Sequence, residues 1–218
     1  MSPLAPPRPR RRGPRRVRAV RMPLALLVAA LLGALAAPAP SPAARPRCPG
    51  ADRTPAAQGP ARAEAAVLCL VNHERRAAGL RAVRRDADLR RAARRHAGDM
   101  AARGFFAHDA PSPAPFGTDL TDRVEAAGYR WSALGENIAA GQPTPRAVLR
   151  AWLDSAGHCR NLLSPAFTEL GVGVDTRGPG AYAGPTWVQD FGRPRASAAP
   201  ADRRARCPRR PARPAARG

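Results

Sequence analysis

Three side chains with reactive chemistry stand apart in this sequence: His108, Glu136 and His158. Each lies beside Gly, Pro or aromatic residues, near the expected boundary of a helix or strand, where functional groups concentrate. Two imidazoles and one carboxylate can hold a divalent metal such as Zn²⁺ with one coordination position open, as in many catalytic zinc sites. In a hydrolase of that kind Glu136 would be the general base and metal-bound water the nucleophile. The separations are 28 residues from His108 to Glu136 and 22 from Glu136 to His158. Neither matches a local metal motif, so only the fold can bring the three together. Ser155 precedes His158 by one helical turn and could touch it. A hydroxyl there is more readily a helix-end hydrogen-bond partner than a nucleophile. His96 shares a stripe with Leu89, Ala93 and Met100 at helical spacing, which predicts a hydrogen-bonded core histidine rather than a ligand.

The stretch 151–173 must position much of this chemistry. Val148, Leu149, Trp152 and Leu153 recur at helical spacing, and Gly157 is expected to end that helix, with His158 and Cys159 at the turn. Phe167 to Asp175 then reads as a strand with Leu170, Val172 and Val174 on one face. Gly171 and Gly173 on the other predict a close neighbour there. Earlier elements follow the same logic. Ala61 to Ala78 reads as a helix, with Asn72 and Arg75 about one turn apart. A second helix runs from an Asp86 cap to Arg103. Thr118 or Asp119 caps a short third helix that Gly128 ends. Trp131 to Gly141 reads as extended, Thr144-Pro145 starts a fourth helix, and Tyr182 to Phe191 is the last strand. This mixture predicts an α+β layered domain.

Charge separates that domain from its ends. The formal net charge is +21 over 218 residues, but the middle, 61–192, carries 17 Arg against 14 acids. Residues 1–60 hold 11 Arg and one acid, and 193–218 hold 9 Arg and one acid. Lysine is absent, so part of the basicity is what a GC-rich genome would write. The alternative is an anionic envelope polymer as partner, with the basic ends as adhesive arms. The basic ends lack interleaved aromatics, which argues against nucleic acid. Eight arginines in 8–21 precede 14 apolar residues, Leu24 to Ala37, and Ala34-Leu35-Ala36 offers a cleavage site. Residues 1–37 therefore read as an export signal, since about 20 apolar residues are needed to span a bilayer. Residues 38–60 read as a disordered Pro/Ala-rich linker, and 193–218 as a disordered Arg/Pro-rich tail. The expectation is a secreted monomer without a stable transmembrane anchor.

Seven motifs, in order, give a stronger handle. They are Asn72-x-x-Arg75 with Gly79-Leu80, Phe105-Phe106-Ala107-His108, Gly128-Tyr129, and Gly135-Glu136-Asn137-Ile138-Ala139. Then come Trp152-x-x-Ser155-x-Gly157-His158, Gly171-Val172-Gly173-Val174, and Trp187-Val188-Gln189-Asp190-Phe191-Gly192. In this the chain resembles the CAP superfamily, or SCP domain, in its bacterial secreted branch. The resemblance implies an α-β-α sandwich: a small, mainly antiparallel sheet flanked by about four helices, with a central cleft over 61–192. It implies that His108, Glu136 and His158 take the places of two His and one acid that in some relatives bind a divalent metal. The fourth position, an acid in those relatives, is Ser155 here. Asn137, Ser155 and Asn161 would line the cleft, which implies a module binding a small polar or lipidic ligand, with a metal-assisted hydrolase as the rival.

The four cysteines fit an oxidising compartment and allow three pairings. Cys69 and Cys159 fall in segments expected to be ordered, which favours Cys69–Cys159, leaving Cys48–Cys207 to join the ends. A disulfide at Cys159 would remove its thiolate from any catalysis.

Overall fold

The computed structural model describes residues 47–196 and Cys207. The export-signal reading of 1–37 and most of the C-terminal tail lie outside the described residues. In chain order the elements are α1 (Pro55–Gln58), α2 (Pro60–Ala77), β1 (Arg84–Arg85), α3 (Ala87–Arg103), α4 (Leu120–Ala126) and β2 (Trp131–Ala140). They continue with α5 (Pro145–Asp154), α6 (Ala156–Leu162), β3 (Glu169–Asp175) and β4 (Thr186–Pro194). The sheet order is β1-β3-β4-β2, so β2 lies at an edge. β1 runs parallel to β3, while β4 is antiparallel to both β3 and β2.

Helix starts follow local chemistry. Asp86 accepts from the Asp88 and Leu89 amides, Asp119 from Asp122, and Thr144 from Ala147, each supplying an acceptor to an otherwise orphan N–H. The sheet separates two apolar layers. Leu170, Val172, Val174, Trp187 and Phe191 pack with α2, α5 and α6. Ile138 and Val188 pack instead with Ala93, Ala97 and Met100 of α3. The glycine face of β3 meets α3 directly, as its composition predicts. A Cβ at Gly171 would run into the Leu89 carbonyl group, and one at Gly173 into that of Ala93.

Three expectations require correction. First, α5 stops at Asp154, and the break is Ser155, whose extended backbone (φ −98°, ψ 121°) serves both as C-cap of α5 and N-cap of α6. Gly157, His158 and Cys159 lie inside α6. Ser155 sits at the helix junction as expected, but its hydroxyl makes no capping bond.

Second, the segment read as a linker is ordered from residue 47 onward. Gln58 donates from Nε2 to the carbonyls of Gly50 and Arg53, both at 2.8 Å. Arg146 on α5 clasps Asp52 at 2.7 and 3.0 Å. At the other end Arg193 and Pro194 belong to β4, and the Arg195 amide donates to the Arg130 carbonyl, so the tail begins later than expected.

Third, the disulfides are Cys48–Cys69 and Cys159–Cys207, with Cα separations of 5.7 and 5.9 Å, not Cys69–Cys159 and Cys48–Cys207. Because 47–58 folds back on α2, Cys48 reaches Cys69, and Cys159 is left for Cys207.

Two polar side chains fix the connections around the sheet. Asn72 grips Val83 through both backbone groups, at 2.9 and 2.8 Å. Arg75, buried on α2, donates to the carbonyls of Arg81, Leu162, Ser164 and Phe167 at 2.8–3.2 Å. It thereby holds the end of α6 and the approach to β3.

Candidate functional site

The site is built across edge strand β2, where successive residues face opposite sides of the sheet. Gly135 leaves room on one side: a Cβ there would stand 2.7 Å from the Phe167 ring and 3.3 Å from Asn161 Oδ1. Glu136 points to the α3–α4 side and Asn137 to the α6 side. Each is buried and each anchors a different group.

On the first side His108, in the loop after α3, meets Glu136: Nδ1 lies 2.7 Å from Oε1. The second carboxylate oxygen accepts from Arg123 of α4 at 2.8 Å, and this guanidinium is buried. His96 of α3 stands behind, with Nε2 3.1 Å from the Ala107 carbonyl oxygen and 3.9 Å from Glu136 Oε2. It is the hydrogen-bonded core histidine expected, fully buried.

Burial alone would raise the Glu136 pKa, but the His108 hydrogen bond and the Arg123 charge outweigh it and hold the carboxyl below its ordinary value. The Glu136 hydrogen bond raises His108 against the opposing effect of burial. Burial lowers His96.

Asp190, opposite Glu136 in the β2–β4 register, completes this layer. As a carboxylate it would have no donor within reach of either oxygen. Burial first, and the Glu136 charge second, push its pKa well up.

On the second side Asn137 donates from Nδ2 to the His158 carbonyl at 3.2 Å and to Gln189 Oε1 at 3.1 Å. Asn161 donates to the Glu136 carbonyl at 3.0 Å and to Asn137 Oδ1 at 2.9 Å. His158 thus joins the site through its main chain, and no side-chain bond links it to Glu136 among the described residues. Its half-buried ring feels the charge of His108: burial and then that charge lower its pKa.

The arrangement gathers His108 and Glu136 into a pair, places Asn137 and Asn161 in one amide network, and sets His158 beside them. Sequence reasoning missed Arg123 and Asp190.

The donor set fits a divalent cation poorly. Both Glu136 oxygens are engaged, one of them by a buried guanidinium that would repel a cation. Among the described residues no group of three or more His, Cys, Asp or Glu is placed to hold a metal ion.

Residues 68–191 match the cysteine-rich secretory protein family model, so the chain belongs to the CAP family, as its motifs indicate. Among relatives, it is 37% identical over 129 residues to the uncharacterized protein YkwD of Bacillus subtilis (strain 168), covering 59% of this chain and 46% of that one. An uncharacterized membrane protein of the same organism, YlbC, is 34% identical over 114 residues, covering 52% and 32%. The chain therefore spans less than half the length of either curated relative. The crystal structure of an extracellular SCP-domain protein from Bacillus anthracis superposes with a TM-score of 0.56 at 33% identity, covering 63% of this chain and 42% of that one. An outer surface protein of Borrelia burgdorferi shares the fold at a TM-score of 0.51 and 19% identity, covering 59% and 90%. The fold is thus the α-β-α arrangement that the motifs implied, in a CAP protein of bacterial type. Among the described residues no helix is long and apolar enough to cross a membrane.

Proposed function

We propose that the chain is an exported binding module acting outside the bacterial cell, whose His108–Glu136 face takes a small polar ligand by hydrogen bonding, without turnover and without a metal. The double engagement of Glu136, by His108 at 2.7 Å and Arg123 at 2.8 Å, carries this reading. A general base needs a free lone pair and a pKa near the working pH. Glu136 has its oxygens occupied and its proton affinity lowered. What the pair offers a ligand is the other nitrogen of His108, Nε2, on an exposed ring that its partner favours in the charged, donating state. Two disulfides and an extracellular relative support export.

A second reading follows from the same contact. A carboxylate on Nδ1 orients an imidazole for acid–base work at Nε2, so His108, rather than Glu136, would be the base of a hydrolase. Calorimetry with phosphate and short peptides at about pH 6 and pH 8, on either side of an ordinary imidazole pKa, separates the readings. The binding reading expects affinity at the lower pH, weakened at the higher, lost in His108→Ala, and peptides recovered intact by mass spectrometry. Cleavage that disappears in His108→Ala would install the hydrolase reading. Equal affinity in wild type and variant would remove the site.

A further inference from the structure

A cavity lies away from this face. It is an open cleft of about 700 Å³, lined by Glu125 and Gly128 at the end of α4, Tyr129 to Ser132 leading into β2, and Arg195 beyond β4. Trp131 and Glu136 are five strand residues apart, about 16 Å at the rise of an extended chain. Its walls are fixed. Tyr129 is buried and donates from its hydroxyl to Glu169 at 2.7 Å. The Arg195 amide bonds to the Arg130 carbonyl at 3.0 Å, tying the two sides of the cavity together. The half-buried indole of Trp131 is held by a 3.0 Å hydrogen bond from Nε1 to Glu125 Oε1.

The cations are placed differently. Arg130 and Arg195 are exposed, and neither guanidinium has an acid partner or side-chain hydrogen bond among the described residues. Some exposed arginines pair with acids, as Arg84, Arg91 and Arg177 do; what distinguishes Arg130 and Arg195 is that both line one cavity. Two unpaired planar forks suit a carboxylate. An oriented aromatic face suits the C–H side of a sugar ring, and the Glu125 carboxylate and Ser132 hydroxyl beside it can exchange hydrogen bonds with sugar hydroxyls. The volume lies within the range of small-molecule sites, about 300–1,000 Å³.

We propose that this cavity is a second binding site, for a saccharide carrying a carboxylate, with Arg130 and Arg195 on the acid and Trp131 against the ring.

The chain supplies its own reporter. Of its three tryptophans, Trp152 and Trp187 are both 0% exposed, so a ligand-dependent change in emission or in acrylamide quenching reads Trp131. The full chain is titrated with glucuronic acid and N-acetylmuramic acid, which separate a uronate from a muramyl source. N-acetylglucosamine is the neutral control and acetate the plain anion.

At least one acidic sugar is expected to bind about tenfold more tightly than N-acetylglucosamine, a difference of about 1.4 kcal/mol. The double variant Arg130→Ala/Arg195→Ala is expected to lose that preference with an unchanged circular dichroism spectrum, since both side chains are exposed and unpaired. The proposal is overturned if acetate matches the acidic sugars, if the neutral sugar matches them, if no probe alters Trp131, or if the double variant binds as the wild type does.

Discussion

Glu136 is a buried carboxylate with His108 on one oxygen and the Arg123 guanidinium on the other, and the local balance of charge follows from it. Glu136→Gln leaves the Arg123 guanidinium buried without its counter-charge, which costs about 3 kcal/mol or more. The same change should return the His108 pKa toward 6.5, its ordinary value. Urea unfolding reads the first effect and histidine NMR titration the second. His108 has a folded-state pKa above its unfolded one, so its contribution to stability is complete below about pH 6.5 and is lost as pH rises through the folded value. His158, lowered, contributes in the opposite sense: its share is present above about pH 6.5 and is lost as pH falls through its folded value. Burial raises the Asp190 pKa above its unfolded value, so its contribution to stability falls as pH rises through the ordinary carboxylate range. Asp190→Asn removes that titration and should raise unfolding stability at pH 7. No gain on urea unfolding would mean that Asp190 is ionised in the fold. These partners were only partly legible beforehand. Arg123 is one of 37 arginines, and nothing in its local pattern distinguished it. Asp190 carried a clearer sign, an acid between Gln189 and Phe191 in a strand that also holds Trp187 and Val188, which the family motif masked by treating the strand as one block.

At the level of elements, the close contact between α3 and β3 was legible because glycine alternating with Leu and Val admits few explanations. The α5–α6 junction was not, because an extended residue needs no special side chain: Ser155 makes the break with φ −98°. Gly157 attracted the assignment that belonged two residues earlier. The two glycines should therefore respond oppositely to a methyl group. Gly173→Ala places a Cβ against the Ala93 backbone, so α3 must lift from the sheet. Overpacking of this kind costs about 1–3 kcal/mol. At Gly157 the nearest atom to an added Cβ is the end of the Arg160 side chain, 3.9 Å away, and the backbone is helical. Gly157→Ala should gain roughly 0.5–1 kcal/mol from helix propensity. Thermal unfolding of the two variants checks both signs, and a gain at Gly173 would contradict the direct packing of α3 on β3. Arg75 shows how an element is held by one side chain. Its carbonyl partners span Arg81 to Phe167, so Arg75→Met should cost about 3 kcal/mol through buried acceptors left unpaired. The motif Asn72-x-x-Arg75 marked the residue, but nothing local could show that its partners lie near residue 165.

Across the whole molecule, both ends of the domain are fastened by cysteines, and which cysteine meets which follows from where the domain begins. A Pro/Ala-rich composition made 47–60 look unstructured, yet its backbone is satisfied by Gln58 and its face by α2 and α5, so Cys48 is a domain residue rather than a tail residue. Closing 21 residues by Cys48–Cys69 and 48 by Cys159–Cys207 contributes about 3 and about 4 kcal/mol in the chain-entropy model. The pairing can be read directly. Complete tryptic cleavage without reduction should yield Cys48–Arg53 joined to Ala63–Arg75, and Ala151–Arg160 joined to Cys207–Arg209. A peptide joining Ala63–Arg75 to Ala151–Arg160 would instead place α2 and α6 in covalent contact and refute the arrangement. The energetic counterpart is the double variant Cys48→Ala/Cys69→Ala. It leaves Cys159–Cys207 intact and removes one staple from the N-terminal edge. With about 2–4 °C per kcal/mol for a chain of this size, its Tm should fall by roughly 6–12 °C. The His108 titration should be unchanged, because that pair is held by α4 and β2 on the far side of the sheet from α2.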